Sequence, residues 1–408
     1  MKYLHSFLFL FSILLLISCD KKNTDYQIQI INPYGLERSD EPIVLRRESI
    51  DGTAENPNKY PHIANSDYEV YPYQLDDLDG DGEWDELFML INIDPKDTLI
   101  FHIEYRDEIP NIAFKKRANI RFGEKNAPYG VIENAERLPE GKTEITSQIF
   151  QMEGPAWEND VVGFRNYYDA RNGMDIFGKQ TTEMALDSSG IKGQNYHELD
   201  DWGMDILKVG NSLGAGAIAL YSGDSIYRWS PSGKGTYRLI ADGPLRAMFD
   251  LNFEGWQVGD SQIDLNHRIS IWGGANVYRS EVSAKNLPDS VSLLTGIVNI
   301  HSDSLHFGDF EKQTILATHD KQAENKAYLG MALMLDKDDY IKHFETPKTG
   351  TNVTQTYAVN LSLSEENPTV FYFYAGWENQ DQRFQDLNFF LSSVKKSTDL
   401  LRNPLIVK

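Results

Sequence analysis

The feature that most constrains this chain is a repeated alternation of short β-prone segments with turn-forming residues. The segments are rich in Val, Ile, Thr, Tyr and Phe, and Gly, Pro, Asn or Asp separates each from the next. They cover residues 68–73, 86–91, 99–105, 236–253, 263–279, 290–300, 328–335, 354–363 and 369–376. Many short antiparallel strands of this kind are typical of a sandwich or a related all-β architecture.

Two segments have a different pattern. Residues 384–401 carry apolar side chains near helical period, among them Leu387, Phe390 and Val394, which predicts a C-terminal helix. Residues 161–171 have mixed spacing that fits either a short helix or a strand. The sequence therefore predicts a mostly β fold, a large antiparallel β-sandwich with a few short helices and a C-terminal helix.

The N-terminus has the features of a secretory signal. A positive start, Met1-Lys2, precedes an apolar run over residues 7–17 that is too short to cross a membrane comfortably. Leu16-Ile17-Ser18-Cys19 resembles a bacterial lipobox, in which the cysteine is acylated. We expect residues 1–18 to be a signal peptide and 19–26 a lipid-anchored tether in the cell envelope. The alternative is cleavage elsewhere, with Cys19 incidental.

Cys19 is the only cysteine of 408 residues, so an intramolecular disulfide is excluded. The rest of the chain is long enough for one large domain or two smaller ones. A charged stretch over residues 123–139 suggests a boundary near residue 130. We expect an N-terminal β region at 27–130 and a main β-sandwich at 131–408.

Charge and aromatic content narrow the class of partner. A net charge of −22 opposes nucleic-acid binding, because a phosphate backbone would be repelled. The chain has 7 Trp, 21 Tyr and 20 Phe, more than a core alone needs. Aromatic rings serve as stacking platforms in sugar-binding clefts. An anionic ligand would require a local cluster of arginines.

One stretch combines both requirements. Residues 154–173, GPAWENDVVGFRNYYDARNG, hold two arginines, two tyrosines and a tryptophan with few aliphatic residues. This mixture suits a wet, aromatic-lined cleft, with Arg165 and Arg171 as its cations. The alternative is a structural ion-pair ladder of Arg165, Asp169 and Arg171.

An Asp-rich stretch, DLDGDGEWDE at residues 77–86, is the sharpest local motif. Alternating oxygen ligands around a glycine turn are what a calcium loop requires. Position twelve of an EF-hand loop is Phe88 here, so the match is incomplete, and a solvated acidic hairpin is the alternative. A bound calcium would be structural, and no other cofactor is called for. The candidate ligands are Asp77, Asp79, Asp81 and Asp85.

Two further positions could carry chemistry. His197, in YHELDDWGMD (residues 196–205), could act as a general base, or it could only cap a turn. Arg246 stands beside a turn in DGPLR and could clamp a carboxylate, or it could form an internal salt bridge.

Four ordered blocks give the chain a resemblance to a known family. They are QLDDLDGDGEWDEL (residues 74–87), GPAWENDVVGFRNYYDARNGMDIFGK (154–179), YHELDDWGMDILKVGNSLGAG (196–216) and DGPLRAMFDLNFEGW (242–256). They resemble a bacterial lipoprotein family, long treated as a domain of unknown function and commonly encoded in polysaccharide utilisation loci. That family includes an oligosaccharide dehydratase acting on ulvan, a sulfated rhamnose–uronate polysaccharide. The resemblance implies a carbohydrate-lyase or mutarotase-like supersandwich.

The implied reaction is loss of water from a non-reducing-end uronate of an anionic ulvan oligosaccharide. It needs a base for the C5 proton, a cation for the carboxylate and an acid for the departing C4 hydroxyl. The alternatives are a non-catalytic glycan-binding lipoprotein and a structural scaffold. His197 is the candidate base, Arg165 and Arg246 are the candidate cations, and Tyr168 or Tyr167 is the candidate acid. Glu158 and Asn159 could bind sugar hydroxyls or orient His197, and Arg171 is a further substrate contact. The candidate sugar platforms are Trp157, Trp202 and Trp377.

Overall fold

The computed structural model describes residues 26–109, 114–138, 143–229 and 233–408. The predicted signal peptide, the lipidation site Cys19 and nearly all of the tether lie outside these residues. Within them the first strands, in chain order, are β1 (Tyr26–Ile31), β2 (Arg38–Arg46), β3 (Tyr60–Ala64), β4 (Gln74–Asp76), β5 (Glu86–Ile93), β6 (Thr98–Arg106), β7 (Ala118–Arg121), β8 (Asn134–Glu136), β9 (Ala156–Asn159), β10 (Val162–Asn166), β11 (Met174–Lys179), β12 (Gly203–Asp205) and β13 (Ala219–Ser222).

The remaining strands are β14 (Ser225–Tyr227), β15 (Lys234–Asp242), β16 (Arg246–Val258), β17 (Ser261–Trp272), β18 (Val277–Lys285), β19 (Ser292–Val298), β20 (His306–Asp309), β21 (Gln313–Asp320), β22 (Leu329–Asp336), β23 (Tyr340–Glu345), β24 (Thr356–Leu361), β25 (Thr369–Trp377) and β26 (Ile406–Val407). The helices are α1 (Thr143–Ile149), α2 (Leu387–Arg402) and three short 3₁₀ turns at Arg47–Ser49, Gln151–Glu153 and Gln382–Gln385.

The strands of the described chain form five antiparallel sheets. Their orders are β26-β1-β6-β3, β2-β5-β4, β12-β11-β10-β9-β7, β14-β13-β19-β24-β23 and β20-β21-β22-β25-β18-β17-β16-β15-β8. The predicted class is confirmed: the fold is mostly β, built of antiparallel sheets, with a C-terminal helix.

The N-terminal sheets share a small core of their own. Side chains between Ile28 and Ile103, such as Leu87, Ile91 and Phe101, form one buried cluster from β1, β5 and β6. Burying such aliphatic and aromatic groups is the main force that holds two sheets face to face. The expected boundary near residue 130 stays a prediction; Ala118, on β7, already belongs to the main core.

The main core lies against one face of the nine-stranded sheet. Along β16, Ala247, Phe249 and Leu251 point into it, while Arg246 and Asp250 point to the opposite face. This is the alternation that any strand imposes on successive side chains. The two five-stranded sheets supply much of the rest of this core, including Trp157, which is fully buried.

The opposite face of the nine-stranded sheet is only partly apolar. Helix α2 covers one portion by burying Phe390 and Val394 on its inner side. The Asp386 side chain caps α2 by accepting a hydrogen bond from the Phe389 N–H at 2.8 Å. The rest of this face carries polar side chains and borders a cleft, described below.

The structure contradicts the strand predicted at residues 68–73, and it decides between the two alternatives predicted for residues 161–171. Residues 68–73 are wrong as a strand, because Tyr68 has φ of 62° in a turn and only an isolated bridge joins Val70 to Ala64. Residues 161–171 contain the strand β10 and no helix. None of the helices in the described ranges is long and apolar enough to span a bilayer.

Replacing Trp157 by Ala should lower the free energy of unfolding by about 3–5 kcal/mol, because it leaves a large cavity in the main core. Trp202, which is only half-buried, is the matched control, and its replacement by Ala should cost clearly less. Urea unfolding followed by tryptophan fluorescence and circular dichroism measures both. Equal losses would contradict the position of Trp157 in the core.

Candidate active site

Three neighbouring strands bring three charged residues together. Arg165 on β10 lies opposite Asp175 on β11. Asp205 on β12 pairs with Phe177, two residues beyond Asp175 and therefore on the same face of the sheet. All three charged side chains are buried.

Both terminal nitrogens of Arg165 donate hydrogen bonds within the protein. Its Nη2 donates to Asp175, to Asp205 at 3.0 Å and to the Tyr167 hydroxyl at 2.7 Å. Its Nη1 donates to the Tyr196 hydroxyl at 3.2 Å and also to a backbone carbonyl. The side chain has no exposed surface. A substrate carboxylate cannot reach it, so the expected role of Arg165 as a substrate clamp does not fit the structure.

His197 lies at the solvent side of this cluster. Its Nδ1 is 3.3 Å from Asp205 Oδ2, and 61% of its side chain is exposed. The hydrogen bond to Asp205 raises the pKa of His197 above its ordinary value, although partial burial opposes this shift. The buried carboxylate therefore orients an accessible imidazole, an arrangement that a general base requires.

Two phenols complete the cluster. The Tyr167 hydroxyl donates to Asp175 at 2.8 Å, and Tyr196 packs its ring 4.2 Å from that of His197. Burial, with a further contribution from Asp205, raises the pKa of Asp175. Burial likewise raises the pKa of Tyr196, although Arg165 acts in the opposite direction. At neutral pH both phenols hold their protons.

Arg171 lies beside the same cluster. Its guanidinium is 4.0 Å from the centre of the Tyr167 ring, and that of Arg165 is 4.3 Å from the same centre. The Nε and Nη2 atoms of Arg171 bind Asp169, and a quarter of its side chain is exposed. The predicted ladder therefore exists in part: Asp169 pairs with Arg171, while Arg165 has other acids.

The sequence contains a signal for the two acids that reasoning from motifs missed. The tetrapeptide Gly-Met-Asp-Ile occurs at residues 173–176 and again at 203–206. An aspartate between two apolar residues of a strand is unusual, because burial of a carboxylate is costly unless it is paired. The two copies supply Asp175 and Asp205. Tyr196 was equally missed, although it directly precedes His197.

Tyr168 is not part of the cluster. Its hydroxyl donates to the Ala135 carbonyl at 2.9 Å, and its ring packs against Phe122 and Phe150 with no exposed surface. Adjacent residues of an extended chain point in opposite directions, so Tyr167 and Tyr168 cannot share a site. The expected role of Tyr168 as the acid does not fit this position.

The tryptophans differ in accessibility. Trp157 packs against Phe249 and Tyr278 in the core, and Trp377 lies directly over the backbone of Gly178. Both are buried, so neither has a ring face for a sugar. Trp202 is half-buried and packs, like Tyr196, on the small apolar cluster beside the site. Of the three predicted platforms, only Trp202 is placed to contact a ligand.

Glu158 and Asn159 are structural. Glu158 forms a fully buried ion pair with Lys179 and accepts the backbone N–H groups of residues 185 and 186. Asn159 donates to the carbonyls of Trp272 and Ala275. Their polar atoms are occupied within the protein, which does not fit the expected contacts to sugar hydroxyls.

Arg246 lies elsewhere, in the cleft on the polar face of the nine-stranded sheet. Its guanidinium binds Asp76 and Glu86 of the N-terminal strands β4 and β5. The structure does not bring Arg246 together with His197. The internal salt bridge that was the alternative reading is the one observed.

The Asp-rich loop partly gathers its ligands. Oxygens of Asp77, Asp79 and Asp85 lie within 4.8 Å of one another. The Asp81 side chain is not in this group and accepts the Glu83 N–H at 2.8 Å. Three convergent carboxylates fit the hard oxygen donors that calcium prefers, while the Asp77 oxygens also serve the turn by accepting the N–H groups of residues 80 and 82. Calcium binding stays a prediction.

Adding 1 mM calcium to chelator-treated protein should raise its melting temperature, because an ion that binds only the folded state stabilises it. Asp77→Asn combined with Asp85→Asn should remove the shift. Asp81→Asn is the matched control and should keep most of it. Differential scanning calorimetry provides the measurement, and identical traces with calcium and with chelator would exclude a calcium site here.

Comparison with known proteins places the chain in a family. An uncharacterized protein, P7, from Formosa agariphila is 23% identical over 303 residues, which cover 69% of this chain and 70% of that protein. An α-mannosidase from Enterococcus faecalis V583 superposes with a TM-score of 0.46 at 8% identity. A glycosyl hydrolase family 38 protein from Enterococcus faecalis gives 0.45 at 7%.

Each superposition covers 94% of this chain, and 46% or 47% of the solved structure. The chain therefore spans about half the length of those two structures. The family described as "Domain of unknown function (DUF4861)" matches residues 30–407. The protein belongs to the DUF4861 family.

Proposed function

We propose that the protein is a carbohydrate-active lyase that removes water from the non-reducing-end uronate of ulvan-type oligosaccharides. One observation carries this proposal: the Nδ1 atom of an accessible His197 imidazole lies 3.3 Å from the buried carboxylate of Asp205. The four sequence blocks that resemble the ulvan-dehydratase family supply the substrate class. No cofactor is needed for the chemistry described here.

The base is His197. Because Nδ1 faces Asp205 at 3.3 Å, Nε2 is the nitrogen left to accept the C5 proton. Asp205 also raises the pKa of His197, which makes the neutral imidazole a stronger base near neutral pH. In turn, Arg165 fixes the Asp205 carboxylate at 3.0 Å. Arg165 is a positioning residue in this scheme.

The acid is Tyr196. Its oxygen accepts a hydrogen bond from Arg165, so its own O–H is free to donate to a leaving group. The C5–H and C4–O bonds of the uronate break and a C4=C5 double bond forms. The C5 proton goes to His197, and the hydroxyl leaves as water with the Tyr196 proton. Proton return from His197 to Tyr196, directly or through solvent, restores the site.

The cation is Arg171. The C5 proton is poorly acidic until the adjacent carboxylate is neutralised, so this reaction needs a positive group with a free donor. Nη1 of Arg171 has no hydrogen bond within the described ranges, whereas Nε and Nη2 bind Asp169. Trp202 and the Tyr196 ring, both only partly buried, offer aromatic surfaces for the sugar.

We also propose that the protein is anchored in the bacterial cell envelope through a lipid on Cys19. The support is the lipobox-like segment Leu16-Ile17-Ser18-Cys19 behind an apolar run. Metabolic labelling with a fatty-acid probe, compared between the wild type and Cys19→Ala, distinguishes lipidation from simple secretion.

His197→Ala should reduce turnover by about 10²–10⁴-fold, the usual contribution of general acid–base catalysis, and Tyr196→Phe should act similarly. His306→Ala, on the edge strand β20, is the matched control and should keep full activity. Ultraviolet absorbance of the new double bond and the mass loss of one water measure the reaction on uronate-ended ulvan oligosaccharides. Calorimetry on the same proteins measures binding.

Two outcomes would separate the alternatives. Full activity in His197→Ala would overturn the assignment of the base. No absorbance and no mass loss in the wild type, together with retained oligosaccharide binding, would favour the non-catalytic glycan-binding protein.

The pH dependence should report the Asp205–His197 pair. Activity should rise with pH as His197 loses its proton, and Asp205 sets this limb higher by raising the pKa of His197. Asp205→Asn should therefore move the rising limb of kcat/KM to lower pH, and it should also lower kcat. A limb that stays in place in the variant would contradict the role of Asp205.

A further inference from the structure

We propose that the cleft between the N-terminal strands and the nine-stranded sheet is a second carbohydrate site, which binds an anionic oligosaccharide through arginine donors. The cleft has a volume of about 800 Å³ and includes Arg46, Arg268, Arg279 and Tyr372 in its walls. The proposal takes its ligand class from the proposed function, but it does not depend on catalysis at His197.

Two polar rows run across neighbouring strands beneath the cleft, and Arg268, Glu281, Arg279 and Tyr372 of these rows line it. Asp250, Arg268 and Glu281 are partners in register on β16, β17 and β18. The next row aligns Arg279 with Tyr372 on β25. A polar sheet face is ordinary when it is solvated, but this one is recessed, and Asp250 is only 3% exposed.

The arginines of the cleft keep donors that the protein does not use. Arg268 binds Asp250 through Nε and Nη2, and its Nη1 has no hydrogen bond among the described residues. Arg279 donates to Glu281 through Nη2 and also interacts with the side chain of Tyr372. The Arg46 side chain is exposed and forms no ion pair with any residue that the structure describes.

The acidic residues of this region, in contrast, already accept hydrogen bonds from arginines of the protein. Both oxygens of Asp250 accept from Arg268, and Arg238 is a further partner at 3.5 Å. Glu86 accepts from Arg246 at 2.9 Å. A guanidinium has five N–H donors and no acceptor, so N–H groups of Arg46 and Arg268 remain for a ligand. A complementary ligand must be rich in acceptors, as carboxylated or sulfated sugars are.

The acidic residues at the rim of the cleft limit where the anionic group of a ligand can bind. Glu48 and Asp79 are exposed members of the cleft wall and would repel an anion. The carboxylate or sulfate is therefore expected on the floor, next to Arg268 and Arg279. The partly exposed Tyr372 offers a ring for the sugar itself.

The probe is an ulvan tetrasaccharide whose non-reducing-end uronate is already unsaturated, so that it cannot be dehydrated whatever His197 does. Calorimetry measures its binding to the wild type, Arg46→Ala and Arg279→Ala. Each variant should weaken binding about tenfold, the effect of losing one charge-assisted hydrogen bond. Arg106→Ala removes an exposed arginine on β6 and serves as the matched control, with unchanged affinity expected.

Calorimetry with the carboxyl-reduced and the desulfated tetrasaccharide identifies the bound anionic group. Affinity should fall in the form that lacks this group. The proposal is overturned if the wild type does not bind the probe, if both cleft variants bind like Arg106→Ala, or if neither chemical change weakens binding. Because Arg46 has no ion pair to lose, its replacement tests the site even if Arg279→Ala fails to fold. Turnover by His197→Ala is measured separately, so the two proposals can fail independently.

Discussion

The buried guanidinium of Arg165 is the interaction on which the candidate site depends. A charge with no exposed surface destabilises a fold by several kcal/mol unless its hydrogen bonds are satisfied, and removing one partner of a buried pair typically costs about 3–5 kcal/mol. Strands β10, β11 and β12 must therefore align so that Asp175 and Asp205 both reach it. The position of His197 follows, because Asp205 is the acid that binds its Nδ1.

The same physical device occurs at both of the sites proposed to bind a sugar. An arginine is fixed by a nearby acid, in the same turn in one case and on the neighbouring strand in the other, and part of its guanidinium stays without a partner among the described residues. Arg171 with Asp169 does this beside His197, and Arg268 with Asp250 does it in the cleft. A chain with net charge −22 can thereby present positive donors at chosen points while most of its surface repels anions.

Sequence reasoning succeeded where periodicity decides the structure. Residues 99–105 lie within β6, and the apolar period of residues 384–401 gives helix α2. Sequence reasoning failed where the role of a residue depends on which face of its strand the side chain takes. Tyr168 and Trp157 looked like site residues because they sit in an aromatic, arginine-rich stretch, but they face the core. Composition shows that such residues are close in sequence, and only the strand pairing shows which face each takes.

Two carboxylates around one guanidinium leave an excess of negative charge in a dry interior. Burial and Asp205 raise the pKa of Asp175 well above the ordinary value of 3.8 for an aspartate. Between these two values the native chain holds a proton that the unfolded chain has released. Folding is then coupled to proton uptake, and this pair favours the folded state less as pH rises through that interval. The device that positions the imidazole thus makes the stability of the fold decline between acid and neutral pH.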